Sequence, residues 1–207
     1  MKKLKPKYNS IISLIAVNLF PVYGVLFLGW DVFVVMLLFW SENVILGIYN
    51  VFKMITCDPE EKTSWITKLF MIPFFIVHYG GFTFGHGVFV ISIFGEQIFQ
   101  NTTGPRLDVL LQIIHENNLI FAMLAIFLSH GYSFITNYLG KGEYRKYTIA
   151  TLMMQPYSRV IILHITLIIG AFLIFMFKST TAFLLLFIFL KIGMDLRAHL
   201  KERKISD

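Results

Sequence analysis

Glu42, His78, His130 and His164 stand on four successive apolar stretches of a 207-residue chain. One carboxylate with three imidazoles is a donor set for Zn²⁺, with Fe²⁺ the other first-row candidate. A neutral imidazole binds metal without carrying charge into hydrocarbon, and the carboxylate offsets part of the metal charge. Asn43, Asn50, Ser129, Ser133 and Asn137 are placed to hydrogen-bond and orient such ligands. His86 follows His78 by eight residues, roughly 12 Å further along a helix, and would line an outer approach. No ligand pair has a diagnostic spacing such as H-E-x-x-H. The competing readings are a relay of protons along the same groups and ordinary hydrogen bonding between helices.

The elements that must position these residues are membrane helices. Hydrophobic residues make up 57% and charged residues 14% of the chain, against about 45–50% and about 25% in soluble domains. Mean hydropathy is +0.71. These values exclude a disordered chain, a nucleic-acid tail and an ordinary soluble enzyme. Six stretches are apolar over the roughly 20 residues a span requires: 10–29, 31–55, 68–94, 117–139, 157–177 and 179–196. The fold class is therefore all-α, one integral membrane bundle of six transmembrane helices over 1–207. The basic start is read as the flank of an uncleaved first helix, since no A-x-A-like site follows.

Lys and Arg set the orientation. With the N-terminus inside, the inner segments hold Lys2, Lys3, Lys5, Lys7, Lys53, Lys62, Lys68, Lys141, Arg145, Lys146, Arg197, Lys201, Arg203 and Lys204. The outer side holds only Arg106 and Lys178. The positive-inside rule gives N-in and C-in. The net charge of +6 thus belongs to cytoplasmic loops, not to a nucleic-acid partner. The single Cys57 excludes an internal disulfide. Segment 105–116 carries Asp108, Gln112, His115 and Glu116 on one helical face and Leu107, Leu110, Leu111 and Ile114 on the other, an amphipathic helix on the outer surface.

Counting along the spans places Glu42 roughly 20 Å, His78 roughly 15 Å, His130 roughly 13 Å and His164 roughly 10 Å from the inner ends of their helices. All four fall in one middle-to-inner slab. Arg159 lies near the inner end, where Asp195 is its expected ion-pair partner. Gly80, Gly81, Gly85 and Gly87 are read as close-approach positions between helices. Trp30, Trp65, Tyr138 and Tyr157 are read as interfacial anchors.

The chain resembles an uncharacterised prokaryotic membrane family, a domain-of-unknown-function family, over most of its length. The carriers are Trp40-Ser41-Glu42-Asn43, His78-Tyr79-Gly80, Ser129-His130-Gly131 and Arg159 with His164. Asn18-Leu19-Phe20-Pro21, Gly24-Val25, Gly29-Trp30, Gly47, Asn50 and His86 complete the pattern. The resemblance implies a prokaryotic cytoplasmic membrane and brings no established activity. A weaker similarity, in residue type, is to the glutamate-type intramembrane proteases of the CAAX-processing class. Phe74-x-x-x-His78 fits their middle element, while Glu42 lacks an acidic neighbour and Asn137 stands seven residues after His130 instead of four.

The function expected from these residues is a membrane metalloenzyme acting on a lipophilic substrate, with Zn²⁺ the metal. Glu42 is either a ligand or the general base on a metal-activated water. The alternatives are a proton or metal-ion transporter, a b-type haem protein with histidines as axial ligands, and a bundle with a hydrogen-bonded polar core.

Overall fold

The computed structural model describes residues 23–24, 27, 29–58, 65–95 and 107–177, apart from some side chains of 162–177. The span expected over 179–196, most of that over 10–29, and Asp195 lie outside the described residues. Every described element is helical. In chain order they are α1 (Val32–Thr56), α2 (Trp65–Phe94), α3 (Leu107–Glu116), α4 (Leu119–Ser133), α5 (Ile149–Met154) and α6 (Tyr157–Phe177). Among the described residues, four helical runs are long and apolar enough to cross a membrane: Val32–Thr56, Trp65–Phe94, Leu119–Leu139 and Ile149–Ile169.

The chain divides into two units, Met1–Val35 with Ile168–Asp207, and Met36–Leu167. In the first, Asp31 Oδ1 accepts from the Phe33 N–H at 3.0 Å and so caps the start of α1. The Trp30 N–H bonds the Gly24 carbonyl at 3.0 Å. The second unit contains Glu42 and every histidine of the expected site.

Three pairs of bonds fix the sense of the helices in that second unit. Trp40 Nε1 donates to the Thr83 carbonyl at 2.7 Å and Tyr79 Oη to the Asn43 carbonyl at 2.9 Å. Number rises on α1 as it falls on α2, so the two are antiparallel. Tyr49 Oη donates to the Phe127 carbonyl at 3.0 Å and Tyr138 Oη to the Lys53 carbonyl at 2.8 Å, which makes α1 and α4 parallel. His78 meets Tyr157, and His86 meets His164, which makes α2 and α6 parallel. These senses are those of a chain that crosses once with each of the four runs.

Local breaks have local causes. Six residues, Phe134–Leu139, extend α4 as a π-helical turn, closed by the Gly140 N–H on the Ile135 carbonyl at 2.9 Å. Within this turn Asn137 Nδ2 bonds Ser133 Oγ at 3.2 Å. Pro156 interrupts Ile149–Ile169, and the helix restarts as the Arg159 and Val160 N–H groups bond the Pro156 carbonyl. Thr148 caps α5 by accepting from the Thr151 N–H at 3.3 Å. Asn50 Nδ2 ties α1 to α5 through the Leu152 carbonyl at 3.0 Å.

The core at this end joins Met54, Cys57, Phe75, Tyr79, Tyr138, Ile149, Leu152 and Val160. Burial pushes the Cys57 thiol up, partly opposed by the Lys68 ammonium. Tyr138 and Trp30 are buried rather than anchored at an interface. The glycine expectation divides. A Cβ at Gly87 would lie 2.8 Å from Trp40 Nε1, whereas one at Gly80, Gly81 or Gly85 meets no atom within 4 Å. Gly47 is the tightest of the α1–α2 positions, its Cβ falling 2.5 Å from the Tyr79 ring.

This contrast sets a test. Gly47→Ala is expected to destabilise the detergent-solubilised protein by about 1–3 kcal/mol through overpacking. Gly80→Ala, in open space within α2, is expected to raise stability by up to about 1 kcal/mol through helix propensity. Thermal unfolding followed by circular dichroism reads both.

Candidate functional site

Tyr79 is the hub of the polar region. Gly47 leaves its ring room, and its hydroxyl donates to the Asn43 carbonyl at 2.9 Å. Glu42, Arg159 and Tyr157 all lie within electrostatic reach of that hydroxyl. Arg159 Nη1 donates to Glu42 Oε1 at 3.3 Å. The Glu42 side chain is 19% exposed and that of Arg159 41%, so the pair is held at the edge of the helix packing. Asn43 Nδ2 bonds the Phe39 carbonyl one turn back at 2.9 Å. Its buried Oδ1 has no hydrogen-bond partner among the described residues.

On the residue before Tyr79, His78 Nδ1 and Tyr157 Oη are 2.5 Å apart. The His78 ring stacks on Phe74, centroids 5.2 Å apart, and leans on Phe82 at 5.1 Å. The Phe74-x-x-x-His78 spacing is thus an i, i+4 ring contact on one helix face.

Further along the same two helices, His86 Nδ1 lies 2.7 Å from the Phe82 carbonyl and His86 Nε2 lies 3.0 Å from His164 Nδ1. A carbonyl only accepts, so the proton in the first bond belongs to His86 Nδ1. Neutral His86 then presents a bare Nε2, and the second bond needs its proton from His164 Nδ1. The chain of bonds runs from His164 through His86 to Phe82. His164 itself is exposed on α6. His86, by contrast, is 3% exposed.

The expected four-ligand metal site is not assembled. Among the described residues, no three His, Cys, Asp or Glu side chains gather as a group able to hold a metal ion. Glu42 is turned to Arg159, His78 to Tyr157, and His164 to His86. The His130 ring leans on Tyr49 at 6.2 Å, seven residues and roughly 10 Å along α1 from Glu42. The depth count failed at His164 for a specific reason. The apolar run begins at Ile149, so His164 lies roughly 22 Å from its end instead of roughly 10 Å. That brings it level with His86, not His78.

The supporting residues divide similarly. Asn43 borders the Tyr79 hub, while Asn50 serves the α1–α5 contact. Ser133 and Asn137 bond each other on α4, and Ser129 lies on an exposed face of α4. Arg159 bonds Glu42; Asp195, its expected partner, lies outside the described residues. His86 is a central member of the polar seam, where an outer approach was expected. Tyr79 and Tyr157 were not read as site residues. Their signal was adjacency: Tyr79 follows His78, and Tyr157 stands two residues before Arg159 and seven, two helical turns, before His164.

The family described as a family of unknown function, DUF6498, matches residues 1–207, and the chain belongs to it. No curated protein and no solved structure matches the chain.

The Glu42–Arg159 contact is testable by a double-mutant cycle. Glu42→Gln and Arg159→Gln are each expected to lower stability in detergent, and the double variant to lose less than their sum. The coupling is expected at about 1–2 kcal/mol, within the range for contacting residues. Additive losses would mean that the ion pair contributes nothing to the fold.

Proposed function

We propose that this protein is a proton-coupled transporter or relay of the prokaryotic cytoplasmic membrane, with six spans and both termini inside. The pair His86–His164 is its proton-accepting site. The single observation that carries the reading is the direct imidazole–imidazole bond at 3.0 Å, polarised by the Phe82 carbonyl. The charge asymmetry of the loops supports the orientation.

The proton step balances within the pair. A proton arrives at His164 Nε2. His164 becomes the imidazolium, and its Nδ1–H stays donated to His86 Nε2, whose own Nδ1–H stays on the Phe82 carbonyl. A charge at the centre of a membrane helix costs about 2.5–3.5 kcal/mol on insertion scales. The charge-assisted hydrogen bond to His86, worth about 1.5–3 kcal/mol, offsets most of it. The carbonyl at the far end takes no proton, so passage across the membrane requires a change in helix packing that turns the pair from one side to the other.

The test is proton uptake by vesicles containing the full-length protein and an internal pH dye, driven by an imposed membrane potential. Wild type is expected to exceed empty vesicles, with His164→Gln and His86→Gln reduced about tenfold or more, the scale of removing a proton-transfer group. Equal uptake in all three proteins would contradict the assignment.

A further inference from the structure

A groove distant from the histidines remains, at the end of the bundle where α1 finishes and α2 begins. Its volume is about 410 Å³, and its lining includes Ile55, Trp65, Leu69, Ile72, Pro73 and Lys68. That volume falls within the roughly 300–1,000 Å³ of ligand pockets. Every lining residue but one is apolar. Lys68 Nζ donates to the Cys57 carbonyl at 2.6 Å and the Ile55 carbonyl at 3.0 Å. Those bonds satisfy the last carbonyls of α1 and fix the ammonium at the groove's edge. They use two of its three N–H donors. The ammonium also sits over the Trp65 ring, 5.2 Å from its centroid, and Trp65 itself is 79% exposed.

One apolar trough thus carries a fixed cation at its edge. Tryptophan and lysine together mark the level of lipid headgroups.

We propose that this groove is a binding site for an anionic phospholipid. The phosphate sits at Lys68, and one acyl chain lies along Leu69, Ile72 and Pro73. The charge complementarity selects the anionic lipid over a zwitterionic one. A single basic residue at a membrane surface attracts anionic lipid by an amount equivalent to about fivefold in binding.

The experiment uses full-length protein in phosphatidylcholine vesicles. These contain a minor fraction of lipid brominated on the acyl chain, either phosphatidylglycerol or phosphatidylcholine. Quenching of Trp65 fluorescence is taken as the difference between wild type and Trp65→Phe. Brominated phosphatidylglycerol is expected to associate about fivefold more strongly than brominated phosphatidylcholine. Lys68→Gln is expected to bring the two to parity, and Lys68→Arg to keep the preference. Leu69→Phe, which fills the trough and leaves the cation, is expected to reduce quenching by both lipids. Equal quenching by the two lipids in wild type would overturn the proposal. So would a preference that survives Lys68→Gln, or quenching unchanged by Leu69→Phe. Where Lys68→Gln does not fold, the Lys68→Arg and Leu69→Phe results decide.

Discussion

Side-chain donors reaching across to backbone carbonyls of neighbouring elements hold this structure together. Trp40 bonds Thr83, Tyr79 bonds Asn43, Tyr49 bonds Phe127, Tyr138 bonds Lys53, and Asn50 bonds Leu152. A helical carbonyl already accepts one N–H and has a second lone pair to offer. Hydrocarbon provides no water to take the hydroxyl or indole proton, so each donor must find such a partner inside the protein. Each bond fixes a level and a rotation of one helix against another. Gly47, Gly87 and Gly131 are small where they must be, because Tyr79, Trp40 and Tyr49 pass over them.

Within that frame three contacts bring ionisable groups together across the described helices. Glu42 with Arg159, His78 with Tyr157, and His86 with His164 all join α6 to α1 or α2. A shared metal and a set of separate pairs answer the same problem, the cost of polar groups in a dry medium. Which answer the chain takes is decided by helix register, and here the register favours pairs. The pair of histidines differs from the other two because both its members are imidazoles, each able to donate from one ring nitrogen and accept at the other.

The sequence was informative about composition and less so about phase. Apolar length identified α1, α2, α4 with its π turn, and α6, and the amphipathic face of 105–116 coincides with α3. The ionisable residues were visible as costly, hence as candidates. Their grouping was not, for two physical reasons. The restart of the helix at Pro156 moved the effective beginning of the span to Ile149 and displaced His164 by about two turns. The π turn at Phe134–Leu139 interrupts the 3.6-residue period after Ser133. Neither break shows in a count of apolar residues. The roles of Tyr79, Tyr49 and Tyr138 as donors were hidden too, since a tyrosine in a span reads equally well as bulk or as an interfacial anchor.

The central claim is the direction of the hydrogen bonds in the histidine pair. Nitrogen NMR of protein labelled with ¹⁵N at histidine reads it directly, with His86→Gln and His164→Gln assigning the signals. Near neutral pH, His86 is expected to be protonated at Nδ1 and bare at Nε2. A scalar coupling should cross from that Nε2 to His164 Nδ1. A His86 protonated at Nε2 alone, or the absence of any coupling between the two rings, would contradict the account.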